Sequence, residues 1–139
     1  VQRRLAFPLL LAGVLAACGT APPRVREPVG GRLTPDAASD VAVHALGLVG
    51  TPYRYGGNTP DGGFDCSGLI GYVYRNGMTP VQTPRTVAQL AAWGAEVDRE
   101  ALRTGDLVVF GSRATHAGIY VGEGRFVHAP STGGTVRLD

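Results

Sequence analysis

Phe64-Asp65-Cys66-Ser67-Gly68-Leu69-Ile70-Gly71-Tyr72-Val73-Tyr74-Arg75 is the stretch on which the reading of this chain turns. From Asp65 the pattern is helical in period, and Asn76-Gly77 supplies a C-terminal stop, so a helix is expected with Cys66 in its first turn. Unpaired amide N–H groups and the positive end of the helix dipole stabilise an anion there, which favours thiolate over thiol. The same N–H groups can donate to the oxygen of a tetrahedral intermediate, so one helix terminus can serve nucleophile and oxyanion together. A dipole alone seldom suffices; the chemistry also needs a base.

Upstream of this helix lies a Gly/Pro-rich loop, Thr51 to Phe64, with a Thr59-Pro60-Asp61-Gly62 turn. It concentrates the surplus of the chain's 21 Gly, about twice the usual share. Before the loop, Thr34-Pro35-Asp36 places an N-cap, a proline in the first helical position and an acid in the first turn. A helix is expected from there to about Val49, with Ala37, Val41, Ala45, Leu48 and Val49 on one face and Gly50 as its stop. His44 interrupts that apolar pattern and reads as a solvent-edge residue.

Downstream the pattern turns to short strands: Gly105–Phe110, His116–Val121 and Arg125–Ala129, the last two joined by Gly122-Glu123-Gly124. A tight hairpin centred near Glu123 opposes even-numbered residues to even-numbered ones, so His116, Tyr120, Phe126 and His128 share a face. Ala117, Ile119, Val121 and Val127 take the other, and Gly118 beside His128 leaves room for a ring. Three readings are open. Cys66, His116 and His128 can be nucleophile, base and orienting group; both His can be satisfied structural residues; or the three can be zinc ligands, although there is no C-x-x-C or H-E-x-x-H.

At 139 residues and 44% hydrophobic, the chain holds one core and is not wholly disordered. Arg3 and Arg4 precede an apolar run, Leu5 to Ala17, broken by Pro8 and Gly13 and too short to span a bilayer. Residues 1–17 therefore read as a secretory signal. The net charge is +2, and loss of Arg3 and Arg4 from the 13 basic residues leaves 11 Arg against 11 acids, which removes the case for a nucleic-acid partner. Leu15-Ala16-Ala17-Cys18 resembles a bacterial lipobox, making Cys18 a lipidation site that anchors without spanning. Residues 18–33, rich in Pro, Gly and Arg, read as a flexible tether, and 34–139 as the folded domain. With Cys18 acylated, Cys66 is a lone thiol in an oxidising compartment.

Thr51-Pro52-Tyr53-Arg54-Tyr55-Gly56-Gly57, Phe64 to Leu69, Pro84-Arg85-Thr86, Gly105-Asp106-Leu107-Val108, His116 to Tyr120 and Arg125 to Ala129 resemble, in order and spacing, the motifs of NlpC/P60 cell-wall peptidases. The resemblance implies an α+β, papain-like fold with the nucleophile helix packed on an antiparallel sheet. It implies Cys66 as nucleophile, His116 as general base and His128 as the polar residue that orients the imidazole. The implied substrate is a peptidoglycan stem peptide, often at an amide between D-glutamate and a diamino acid, or at a cross-link, with no cofactor and no metal. The enzyme would be a monomer on the periplasmic face of an outer membrane. Rival readings are an amidase or acyltransferase using the same thiolate, and a silent lipoprotein that binds wall peptides.

Around the nucleophile, the Cys66 amide and the hydroxyl of Tyr53 or Tyr55 are candidates for oxyanion or substrate contacts, against a reading as loop packing. Asp65, Ser67 and Arg85 are candidate contacts to the zwitterionic peptide, Arg85 through a carboxylate fork. Helix capping by Asp65 and a surface ion pair for Arg85 stand beside that reading. Thr83 replaces a Leu common in the family, and the chain stops at Asp139 where members usually continue, so either an exposed sheet edge after Thr135-Val136-Arg137 or an incomplete sequence is expected.

Overall fold

The computed structural model describes residues 32–139. The stretch read as an export signal, the expected lipidation site Cys18 and all but the end of the stretch read as a tether lie outside the described residues. Helix α1 (Pro35–Gly47) starts as its sequence dictates: the Thr34 side chain accepts the Ala37 amide at 3.3 Å and Pro35 occupies the first turn. It buries Ala37, Val41 and Ala45 and ends with Leu48 as its C-cap. Because the helix stops short of Val49, that residue leaves the buried stripe and is 45% exposed, a correction to the expected face. His44 sits at the helix edge, its ring edge-on to Tyr72.

In the Gly-rich loop a short ladder forms, β1 (Asn58–Thr59) against β2 (Gly63–Phe64). Helix α2 (Cys66–Arg75) follows at once, capped by Asp65 and closed at Asn76, with the expected bounds. Helix α3 (Val87–Ala91) begins with a reciprocal capping box between Thr86 and Gln89. A single 3₁₀ turn, Arg99–Ala101, leads to β3 (Leu107–Phe110), β4 (His116–Gly122), β5 (Arg125–His128) and β6 (Arg137–Leu138). These four strands form one antiparallel sheet in the order β3-β4-β5-β6.

Ile119 pairs with Val127 and Tyr120 with Phe126, so parity follows the hairpin reading until a bulge between Tyr120 and Gly122 shifts it at the turn. The odd face joins the core: Ala117, Ile119, Val127 and Ala129 are fully buried in one cluster with Leu69, Ile70 and Val73 of α2, Phe64 and Val136. Removing each of the larger of these side chains from water is worth about 1.5–3 kcal/mol. Tyr74, at the far end of α2, is buried with its hydroxyl donating to the Gly105 carbonyl. Burial, and secondarily the charge of Asp106, push its phenol well above the ordinary value, so it stays a donor.

The segment after Thr135 is not an unpaired end. Arg137 pairs with His128 and Leu138 with Val127, making β6 the sheet's edge strand. Just before it, the Val136 amide donates to the Thr51 carbonyl at 2.7 Å and the Val136 carbonyl accepts the Gly50 amide at 2.8 Å. The Tyr53 amide donates to the Gly134 carbonyl. The loop preceding Cys66 is thereby stitched to the approach to β6.

Candidate active site

Cys66 is the first residue of α2, a free and half-buried thiol. Its position is set by Asp65, whose carboxylate organises the surrounding chain. Oδ1 accepts the Gly68 amide at 2.7 Å as an N-cap, and Oδ2 accepts the Gly56 amide at 3.0 Å from the loop. Arg85 forks onto the same carboxylate, Nη1 to Oδ1 at 3.1 Å and Nη2 to Oδ2 at 2.9 Å, with Nη1 also donating to Ser67 Oγ at 2.6 Å. The guanidinium expected to face a substrate carboxylate is therefore engaged by Asp65 within the protein. Gly68 permits the arrangement, since a Cβ there would lie 1.9 Å from the Gly57 carbonyl oxygen. That carbonyl also accepts the Asp65 amide at 3.0 Å, so loop and helix start are locked together.

The two candidate tyrosines are separated by the fold. Tyr53 is half-buried and packs against the core, whereas Tyr55 is 89% exposed. Desolvation, then the charge of Asp65, raise the Tyr53 phenol above its ordinary value, so its hydroxyl stays protonated.

On the sheet, His116 and His128 meet as diagonal neighbours: His116 Nε2 lies 2.7 Å from His128 Nδ1. His128 is 7% exposed, and Gly118 leaves room for it, since a Cβ on Gly118 would come within 3.2 Å of the His128 Cβ. Phe110 stacks on the His116 ring, and Phe126 touches both Phe110 and His128, forming an aromatic wall along the pair. Desolvation lowers the His116 pKa below its ordinary value, and the neighbouring His128 adds to the effect. The ring is therefore neutral at neutral pH and able to accept a proton.

Sequence reasoning missed the next member. His128 Nε2 lies 2.7 Å from Asp139 Oδ2, and Arg137 donates to Asp139 Oδ1 from Nε at 2.9 Å and Nη2 at 2.7 Å. Only the register of β6 brings Asp139 beside His128, and a two-residue strand carries no periodicity to reveal it. The chain of contacts runs His116, His128, Asp139, Arg137; none of these hydrogen bonds reaches the Cys66 thiol, which belongs to the α2 cluster. The imidazoles are bonded to each other and to a carboxylate rather than turned toward a common centre. Among the described residues no group of three or more His, Cys, Asp or Glu is arranged to hold a metal ion, and no helix is long and apolar enough to cross a membrane.

The model of the NlpC/P60 family matches residues 50–139. Murein DD-endopeptidase MepH of Escherichia coli (strain K12) is 39% identical over 108 residues, covering 73% of this chain and 40% of that protein. Gamma-DL-glutamyl hydrolase of Bacillus subtilis (strain 168) is 41% identical over 99 residues, covering 67% of this chain and 24% of that protein. The chain thus spans less than half the length of these curated relatives. Among solved structures, the NlpC/p60 domain of the peptidoglycan hydrolase SagA aligns with a TM-score of 0.68 at 32% identity, covering 73% of this chain and 87% of that one. A helix bearing the cysteine, laid on an antiparallel sheet that carries the histidines, is the α+β papain-like arrangement these domains share, and the chain belongs to the NlpC/P60 family.

Proposed function

We propose that this protein is a cysteine endopeptidase that hydrolyses amide bonds in peptidoglycan stem peptides, with Cys66 as nucleophile, His116 as general base and His128 as the group that orients His116. The observation that carries the reading is the 2.7 Å contact between His116 Nε2 and His128 Nδ1. It engages one nitrogen of a ring kept neutral by burial and leaves Nδ1 to take the thiol proton. The thiolate attacks the amide carbonyl, His116 returns the proton to the leaving amine, and water activated by the same ring hydrolyses the thioester. The Cys66 amide faces the developing oxyanion, with the Tyr53 hydroxyl as a second donor, since the Gly68 and Leu69 amides are already taken by Asp65. Family membership and a relative named as a murein DD-endopeptidase support a peptidoglycan peptide as substrate, and a relative named as a gamma-DL-glutamyl hydrolase supports a glutamyl amide, so the bond proposed is of D-glutamyl–diamino acid type or a cross-link.

The test is digestion of purified sacculi by soluble protein lacking residues 1–18 and by its Cys66→Ala form, with released fragments identified by mass. New peptide fragments from the first and none from the second are expected. No fragments from either sinks the hydrolase reading, and a freed N-terminal L-alanine would replace endopeptidase by amidase.

The lipobox-like Leu15-Ala16-Ala17-Cys18 supports anchoring of the mature chain through Cys18, at the periplasmic face of an outer membrane where the host has one. Incorporation of labelled palmitate that vanishes in Cys18→Ala is the expected outcome; equal labelling of both forms would refute it.

A further inference from the structure

We propose that Asp139, held by Arg137, is a positioning residue that sets the tautomers of both imidazoles, an inference that rests on the reading of His116 as the base. The Asp139 amide donates to the Phe126 carbonyl at 3.0 Å and the Asp139 carbonyl accepts the Phe126 amide at 2.9 Å. Asp139 therefore stands opposite Phe126, on the sheet face that carries His128. These backbone bonds hold the strand whatever the side chain does, so retention of β6 does not by itself require a carboxylate at this position.

The logic is one of donors and acceptors. An ionised carboxylate only accepts, and a neutral imidazole has one N–H and one lone pair. Arg137, then His128, hold the Asp139 carboxyl below the usual carboxylate range, so it is ionised at neutral pH. Facing Oδ2 at 2.7 Å, His128 Nε2 must carry the hydrogen. Its Nδ1 is then the lone pair, and across the 2.7 Å contact His116 Nε2 must carry the next hydrogen. His116 Nδ1 is left bare, the nitrogen the reaction needs. The opposite order would place a hydrogen on His116 Nδ1 and leave it unable to accept one from a thiol. When the Cys66 thiol gives up its proton, that proton goes to His116 Nδ1 and the ring becomes imidazolium. The hydrogens on His116 Nε2 and His128 Nε2 stay where they are, so no proton moves to Asp139 and the carboxylate stabilises the new charge through the intervening ring.

The experiment uses the full 139-residue chain in detergent micelles, labelled with nitrogen-15 in its three His, and reads tautomers from two-bond nitrogen–proton couplings near pH 8. His44, remote from the chain of contacts and edge-on to Tyr72, is the control ring. Both His116 and His128 are expected as the Nε2–H form. In Asp139→Asn the amide NH₂ can donate to His128 Nε2, permitting the inverted order, so the couplings of His116 and His128 should shift toward the Nδ1–H form while those of His44 stay put. On a soluble muropeptide, kcat of that variant should fall roughly 10²- to 10⁴-fold, the upper figure being the loss known for a triad ring in the wrong tautomer, with KM changed less than about 2-fold. Asp139→Glu should restore the Nε2–H couplings. Nδ1–H on His116 in the unaltered chain, or Asp139→Asn spectra identical to it, overturns the proposal; if Asp139→Asn fails to fold, the unaltered chain's tautomers still decide. Expected tautomers in a chain that releases nothing from sacculi would uphold the positioning role and reject only the hydrolase reading.

Discussion

His116 is the titratable group whose surroundings most directly govern the proposed chemistry. Desolvation and His128 both lower its pKa, so the neutral ring persists to more acid pH than an unperturbed imidazole of about 6.5. The acid limb of a kcat/KM profile should accordingly fall below that value. Replacing His128 by Asn removes the neighbouring imidazole that adds to the lowering and offers a carbonyl to His116 Nε2–H, and the limb should move up in pH; a limb that stays still would show that His128 does not act on His116. The same shift has a stability consequence of determined sign. A His with a lowered folded-state pKa favours folding least when protonated, so its contribution is intact above the unfolded value and declines as pH falls from there toward the folded value. At this scale the reactive residue types were legible: a lone thiol at a helix start and two His of equal parity across a tight hairpin. Asp139 was not, because a side chain at the end of a neighbouring strand becomes a partner only when a register is chosen.

Helix α2 shows how an element delivers one residue. Its start is defined by Asp65, which takes a cap amide, a loop amide and a guanidinium with two oxygens. Asp65→Ala removes the cap of α2 and the acceptor of the Gly56 amide, and should cost about 0.5–2 kcal/mol by urea denaturation. Arg85→Ala removes a largely exposed ion pair and should cost under about 1 kcal/mol. Equal costs would mean the ion pair rather than the cap holds the loop. Gly68→Ala is the sharper perturbation: its Cβ would fall 1.9 Å from the Gly57 carbonyl oxygen, and backbone on both sides leaves little room to yield. Overpacking of about 1–3 kcal/mol or more is expected, with loss of sacculus digestion because loop and helix start must part. The bounds of α2 were legible from Asp65 and Asn76-Gly77, both local signals. The end of α1 was not, since Val49 and Leu48 look alike to a periodicity and only the packing of the following loop separates them.

Over the whole molecule, one core serves both halves of the site. Ile119 on β4 is fully buried in the cluster that holds Leu69, Ile70 and Val73 of α2, the element that begins with Cys66, while its strand begins with His116. Ile119→Ala should therefore cost about 2–5 kcal/mol. That is a large share of the roughly 5–15 kcal/mol available to a domain of this size, and calorimetry should show it as a fall in Tm of about 4–8 °C per kcal/mol. A Tm within 2 °C of the unaltered protein would contradict the shared core. The helix that carries Cys66, the strand pair that carries the His and the face they share were legible in the residues alone, because caps, stops and parity are local and their physics acts within a few residues; the class of fold came from the resemblance of the ordered motifs to NlpC/P60 domains. Tertiary structure alone decided that Tyr53 lies inward and Tyr55 outward, that Arg85 is taken by Asp65, and that Asp139 and Arg137 complete the chain behind the histidines. Those outcomes depend on which distant segments pack together, and that is settled by burial and strand register across the whole chain.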